Sequence, residues 1–180
     1  MTTEVSILRL QDAWRECERN AYHLCQALIL LDPIMPMTGE RYTQLADDQV
    51  RVMDQFILRF TKLQDAMGNH LFPSILAYLQ EPYEDRPMLD KLNQLEKLGY
   101  ITSTEAWQSI RYTRNKFTHD YPDDAEKNAA LINVSSEAAE LMCFILTSIE
   151  KKLRSEQAAF ELRSTLSVRY PKQWSLHTKT

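Results

Sequence analysis

Arg114, Asn115 and His119 are the residues whose types and spacing could do chemistry in this chain. Arginine supplies a permanent positive charge and a planar fork that fits phosphate oxygens. Histidine, with an unperturbed pKa of about 6.5, passes protons in both directions near neutral pH. His119 lies just before Pro122, at an expected helix end, where the helix dipole favours the protonated ring. Asn115 can hydrogen-bond a ring nitrogen of His119 or a ligand oxygen. The trio suits cleavage of an RNA phosphodiester without a metal. The 2′-hydroxyl would attack the adjacent phosphorus, histidine would move protons, and arginine would stabilise charge on the phosphorane. One copy supplies one His, whereas general base and general acid are two roles. A symmetric homodimer setting two such helices side by side would supply both. A structural reading competes: Arg114 paired with a carboxylate on another helix, and His119 as a C-terminal cap.

The element that must position these groups is a helix. Trp107, Ile110, Arg114, Phe117 and Tyr121 follow one another at steps of 3, 4, 3 and 4, the spacing of one helical face. A guanidinium on an apolar stripe is costly unless it meets a carboxylate, a phosphate or a wet cleft. Arg111, Asn115 and His119 form an adjoining stripe at i, i+4 and i+8. Arg111 is a supporting polar candidate. It and Lys116 also read as solvent-facing or ion-paired cations. Thr102-Ser103-Thr104-Glu105 spells a capping box that opens this helix at Thr102, and Pro122 closes it.

The rest of the chain reads as helices around that one. Ile7, Leu10, Trp14, Cys17, Ala21, Leu24, Leu28 and Leu31 keep a 3-4 spacing, which predicts a first helix from Glu4 to Leu31, ended by Asp32-Pro33. A second long helix is expected from near Thr43, with Val52, Phe56, Phe60, Leu63 and Met67 as its apolar face. Gly68 and Pro73 predict a kink or break in it. A short helix over Pro87 to Leu98 should have Asp85 or Arg86 near its N-cap and Gly99 just past its end. A last long helix should start near Asp123 or Asp124, pack through Leu131, Val134, Ala138, Leu141 and Ile145, and run to Thr165.

Composition agrees with helices. Only 3 of 180 residues are Gly, Leu, Ala, Gln, Glu and Met dominate, and no alternating strand pattern stands out. The expected architecture is an all-α bundle of about five helices. It forms a single domain over residues 1–165, followed by a basic C-terminal arm over 166–180, in part without fixed structure. The longest apolar run, Leu24 to Leu31, is too short to span a bilayer, and the N-terminus lacks the order of a signal peptide. Cys17, Cys25 and Cys143 have no ligand-like or disulfide-like spacing and read as core thiols in a reducing cytoplasm. No membrane, cofactor or metal is expected. The net charge of −4 divides unevenly: residues 151–180 carry seven Lys/Arg against Glu156 and Glu161, so the preceding body is acidic. Any RNA contact is therefore restricted to local basic surfaces.

Arg114-Asn115, His119 and Tyr121-Pro122 on a late helix of an all-α bundle resemble the HEPN superfamily. More narrowly, they resemble the HepT-type toxins paired with MNT-fold minimal nucleotidyltransferases. The likeness extends through Arg59 to Gly68 (RFTKLQDAMG) and Leu89 to Ile101 (LDKLNQLEKLGYI), then Trp107 and Arg111, and spans Val50 to Leu153. The resemblance implies a HEPN bundle that dimerises through the motif helix and cleaves RNA without a metal. Arg114 and His119 would be the catalytic pair, and Asn115 the polar residue that follows the Arg. Tyr121 would be the tyrosine that a nucleotidyltransferase antitoxin modifies with AMP, blocking RNA by charge and bulk. The alternative within the same likeness is a non-catalytic HEPN protein: a nucleotide- or RNA-binding or antitoxin component that partners a nucleotidyltransferase. A plain helical scaffold is the third reading. The chain is longer than a minimal toxin of this kind, and the basic arm has no counterpart in the likeness.

Overall fold

The computed structural model describes residues 4–118 and 124–155, and those residues form an all-helical structure with no strand among them. The helices are α1 (Glu4–Leu31), α2 (Gly39–Thr43), α3 (Asp47–Ala66), α4 (Phe72–Tyr78), α5 (Met88–Lys97), α6 (Thr104–Lys116) and α7 (Ala125–Ser155). A 3₁₀ turn, Asp32–Ile34, follows α1 at Pro33, and a π turn, Met67–Leu71, joins α3 to α4 without a break. Among the described residues the expected five-helix plan is met by five rods, α1, α3 with α4, α5, α6 and α7, and by the short α2.

From Leu10 onward the predicted stripe of α1 is the seam of the core: Leu10, Trp14, Cys17, Ala21, Leu24, Leu28 and Leu31 are all buried, whereas Ile7 stays half-exposed. It packs along α3, where Phe56, Phe60 and Leu63 are fully buried. Burying each such side chain contributes about 1.5–3 kcal/mol. The three cysteines are buried free thiols, as expected of core residues. Burial pushes the Cys17 thiol far above its ordinary range.

Several boundaries differ from the sequence reading. The second long helix starts at Asp47 and not at Thr43, which ends the separate α2. Thr38 Oγ1 caps α2 by accepting the Arg41 N–H at 3.2 Å. Gln49 Oε1 then accepts the Ala46 N–H at 2.9 Å and opens α3. Pro87 is itself the N-cap of α5, displacing Asp85 and Arg86. Its extended ψ of 152° and missing N–H suit a position outside the helix. At the other end Gly99 takes φ +75°, and the Tyr100 and Gly99 N–H groups bond Leu95 O and Glu96 O at 2.8 and 2.9 Å. That closure needs a residue tolerant of the left-handed region.

The expected break near Gly68 and Pro73 becomes the π turn. The Phe72 N–H bonds Met67 O, five residues back, so the rod stays hydrogen-bonded while it approaches a proline that cannot donate.

In α7 the stripe is out of phase with the expected one. Ala129, Ile132, Ser135, Ala139, Met142, Leu146, Ile149 and Leu153 are buried, whereas Val134 is 51% exposed. Of the predicted positions Ile145 alone is buried; Ala138 and Leu141 are half-buried against the core. The helix is apolar over more than one face, so its period was ambiguous, and a serine hides in the true seam. Ser135 Oγ donates to Leu131 O at 2.6 Å, satisfying itself within the helix. By length and composition α7 could cross a membrane, although no single unbroken apolar run in it exceeds Leu24 to Leu31. Its buried side chains lie in the common core, and Glu150, 5% exposed, is paired there with Arg154.

Candidate functional site

Two unlike anchors hold α6. At its start Ser103, not Thr102, is the N-cap: Ser103 Oγ accepts the Ala106 N–H at 3.1 Å. The α5 residue Glu96 accepts the Thr104 N–H at 2.7 Å, so a carboxylate from the neighbouring helix satisfies a first-turn donor of α6. Hydrogen bonding by Thr104 holds the Glu96 carboxyl below its ordinary range. Along its length α6 presents the predicted stripe to the core. Trp107 and Ile110 are each 1% exposed. Trp107 meets Phe72 edge-on at 4.6 Å between ring centroids, and Phe117 meets Phe60 in the same way at 5.7 Å.

Arg114 occupies the expected place on this stripe and finds its counter-charge inside the chain. Its Nη2 donates to Asp65 Oδ2 on α3 at 2.9 Å. The two side chains are 24% and 38% exposed, so the pair stands at the edge of the core. Asp65 is the only described residue bonded to this guanidinium, and the Nε is buried without a hydrogen-bond partner among the described residues. A guanidinium has five N–H donors. Donor capacity therefore remains for a ligand oxygen.

Arg114, Arg111 and Asn115 line one cleft of about 200 Å³. Its opposite wall is Gln64, Asp65, Gly68 and Asn69, from the end of α3 and the π turn, with Trp107 and Met88 completing it. Arg111 and Asn115 lie one helical turn apart on α6, both exposed. The cleft offers two cations, three amides and one carboxylate beside apolar edges. Such a mixture can bind an anion and orient a polar group next to it.

The regular helix stops at Lys116, short of the Pro122 expected to close it. Thr118 turns back on α6, with its Oγ1 donating to Asn115 O at 2.6 Å. His119 and Tyr121 lie outside the described residues, as does the basic arm. Lys116 sits 4.7 Å over the Tyr112 ring on the exposed side of α6, a surface cation away from the cleft lining.

Asp65, Gln64 and Asn69 were not singled out from the sequence. Asp65 lies 49 positions from Arg114. The available signal was the demand of an apolar-stripe arginine for a carboxylate, which limits the choice to acids at the edge of another apolar face. Two larger clefts, of about 730 and 370 Å³, lie between α1 and the region around α4 and the α4–α5 loop, and include no residue of α6. Among the described residues no group of His, Cys, Asp and Glu is placed to hold a metal ion. In comparisons with known proteins, no family model, no curated protein and no solved structure matches this chain.

Proposed function

We propose that this chain is a HEPN-type endoribonuclease toxin, active in the cytoplasm as a homodimer and controlled by a minimal nucleotidyltransferase antitoxin that AMPylates Tyr121. The observation that carries the reading is the convergence of Arg114, Arg111 and Asn115 on one cleft, where Arg114 makes a single bond, to Asp65. In the proposed reaction the 2′-oxygen of a ribose bonds to the adjacent phosphorus and the P–O5′ bond breaks, leaving a cyclic phosphate and a 5′-hydroxyl. His119 of one subunit takes the 2′-hydroxyl proton, and the partner's His119 gives one to the leaving oxygen. Arg114 neutralises the charge that grows on the phosphorane. The scheme requires no metal. AMP on Tyr121 would add phosphate charge and the bulk of an adenosine, and so repel RNA.

The test is induction of the wild type, Arg114→Ala and His119→Ala in bacteria at matched, soluble expression, with growth and total RNA followed. Growth arrest and RNA fragmentation are expected in the wild type alone. The purified variants should each cleave RNA on the order of 10²-fold more slowly. Equal cleavage by all three ends the nuclease reading. The Asp65–Arg114 pair favours a second reading, because the guanidinium already has a counter-ion. On that reading the HEPN dimer binds nucleotide or RNA without cutting it and serves the nucleotidyltransferase. Nucleotide-dependent thermal stabilisation, lost in Arg114→Ala and unaccompanied by cleavage, would select it.

A further inference from the structure

We infer that the cleft beside Arg114 is a base-reading subsite: Gln64, with Asn69, takes the polar edge of one unstacked nucleobase whose phosphate lies against Arg114 and Arg111. The inference rests on the RNA reading above and names what that cleft would recognise. Its carrier is Gln64. This residue is 6% exposed and lines the cleft, and no described residue hydrogen-bonds its side-chain amide. Unlike the buried Arg114 Nε, the Gln64 amide atoms keep contact with solvent, and water there is what a ligand would displace. The part of Gln64 that is not buried opens onto the cleft, so a ligand there is the natural partner.

The chemistry selects a base over a phosphate for this position. A carboxamide carries two donors and an acceptor in one plane, the complement of a base edge. Phosphate needs only donors, and Arg114 and Arg111 provide them nearby. A Cβ added at Gly68 would meet Trp107 Cζ2 at 3.4 Å and Gln64 Nε2 at 3.6 Å. The bare glycine therefore keeps the space in front of the amide clear. Asn69 adds a second amide to the same wall, and Trp107 and Met88 supply apolar edges for a flat ring. At about 200 Å³ the cleft is smaller than the usual small-molecule site. That size suits a single base, with its sugar and phosphate outside. Single-stranded RNA is read in this way, by splayed bases bonded along their edges.

The experiment is fluorescence anisotropy of the full chain with short 2′-O-methyl oligonucleotides, which lack the attacking hydroxyl. The four homopolymers are compared with an abasic strand of equal length and charge. The wild type should bind at least one homopolymer roughly tenfold or more tighter than the abasic strand, the scale of one amide–base pair. Gln64→Met should bring that ratio close to one. Gly68→Ala should do the same by narrowing the cleft, and it remains informative if Gln64→Met fails to fold. Arg114→Ala should weaken every strand, the abasic one included. Equal binding of all strands that still depends on Arg114 overturns base reading and leaves the phosphate cleft standing. A preference that survives both Gln64→Met and Gly68→Ala removes Gln64 from the role. No binding of any strand overturns this inference together with the RNA reading beneath it.

Discussion

Removing the Asp65 carboxylate tests whether Arg114 is held at its cleft by charge or by packing. A fully buried ion pair that loses one partner costs about 3–5 kcal/mol, and an exposed one contributes about 0–1 kcal/mol. With exposures of 24% and 38%, the pair falls between these limits, and water on the outer side of Asp65 screens it. Asp65→Asn keeps the volume and a neutral acceptor while deleting the charge. It should cost about 1–2 kcal/mol, discounted for that screening. Arg114→Met keeps the aliphatic stem and leaves Asp65 free to hydrate. A double-mutant cycle from urea unfolding should then give a coupling of about 1–2 kcal/mol. The Asp65 carboxylate, 2.9 Å from the guanidinium, also repels a phosphate that approaches its remaining donors. Asp65→Asn should therefore bind pyrophosphate roughly 5–30-fold more tightly by calorimetry. Additivity of the two substitutions within about 0.5 kcal/mol, with unchanged pyrophosphate affinity, would refute the reasoning.

Gly99→Ala places a side chain at φ +75° where space is available, so strain alone should lower stability by about 1 kcal/mol, measured by thermal or urea unfolding. Asp124 Oδ1 accepts the Lys127 N–H at 3.0 Å, and its Oδ2 lies 2.9 Å from Lys127 Nζ, at the start of α7. The Lys127 side chain, then its backbone N–H, lower the Asp124 pKa below the ordinary value of 3.8. The stabilisation is thus complete above about pH 3.8 and is lost as pH falls through the lower folded value. Amide exchange in the first turn of α7 should accelerate through that acid window in the wild type, after correction for intrinsic rates. In Asp124→Asn the acid-induced step should be absent.

The fold was most legible where polar and apolar residues segregate sharply. The stripe of α1 and the Trp107–Ile110–Arg114–Phe117 stripe of α6 are buried or core-packed in the predicted order, because each helix has one apolar face. In α7 Leu131, Val134, Ala138 and Leu141 compete with Ile132, Ala139 and Met142 for the core, and packing against α2 and α6 decides between them. At the start of α6 the N-cap is Ser103 and a carboxylate of the preceding helix, Glu96, accepts the Thr104 N–H, an arrangement the Thr102–Glu105 spacing does not encode. At the site, the α6 half of the cleft was visible in Arg111, Arg114 and Asn115. The facing half comes from Gln64 to Asn69, brought there by tertiary packing that the spacing within α6 does not encode.

The π turn makes the span Met67–Leu71 a matter of length as much as of identity. Each residue in an α-helix advances the chain by about 100° around its axis, given about 3.6 residues per turn. Phe56, Phe60, Leu63 and Met67 bury one face of α3, whereas Leu71, Phe72, Ile75 and Leu76 bury the face that follows. The wide turn absorbs the angular mismatch between the two patterns, as a vernier does. Keeping all five residues but drawing the span into an ordinary helix would rotate α4 against α3 by about that angle. Either the α4 core residues or the Gln64–Asn69 wall would then face the wrong way. In related chains the loss of one residue from this stretch should go together with replacement of the π turn by an ordinary helical turn.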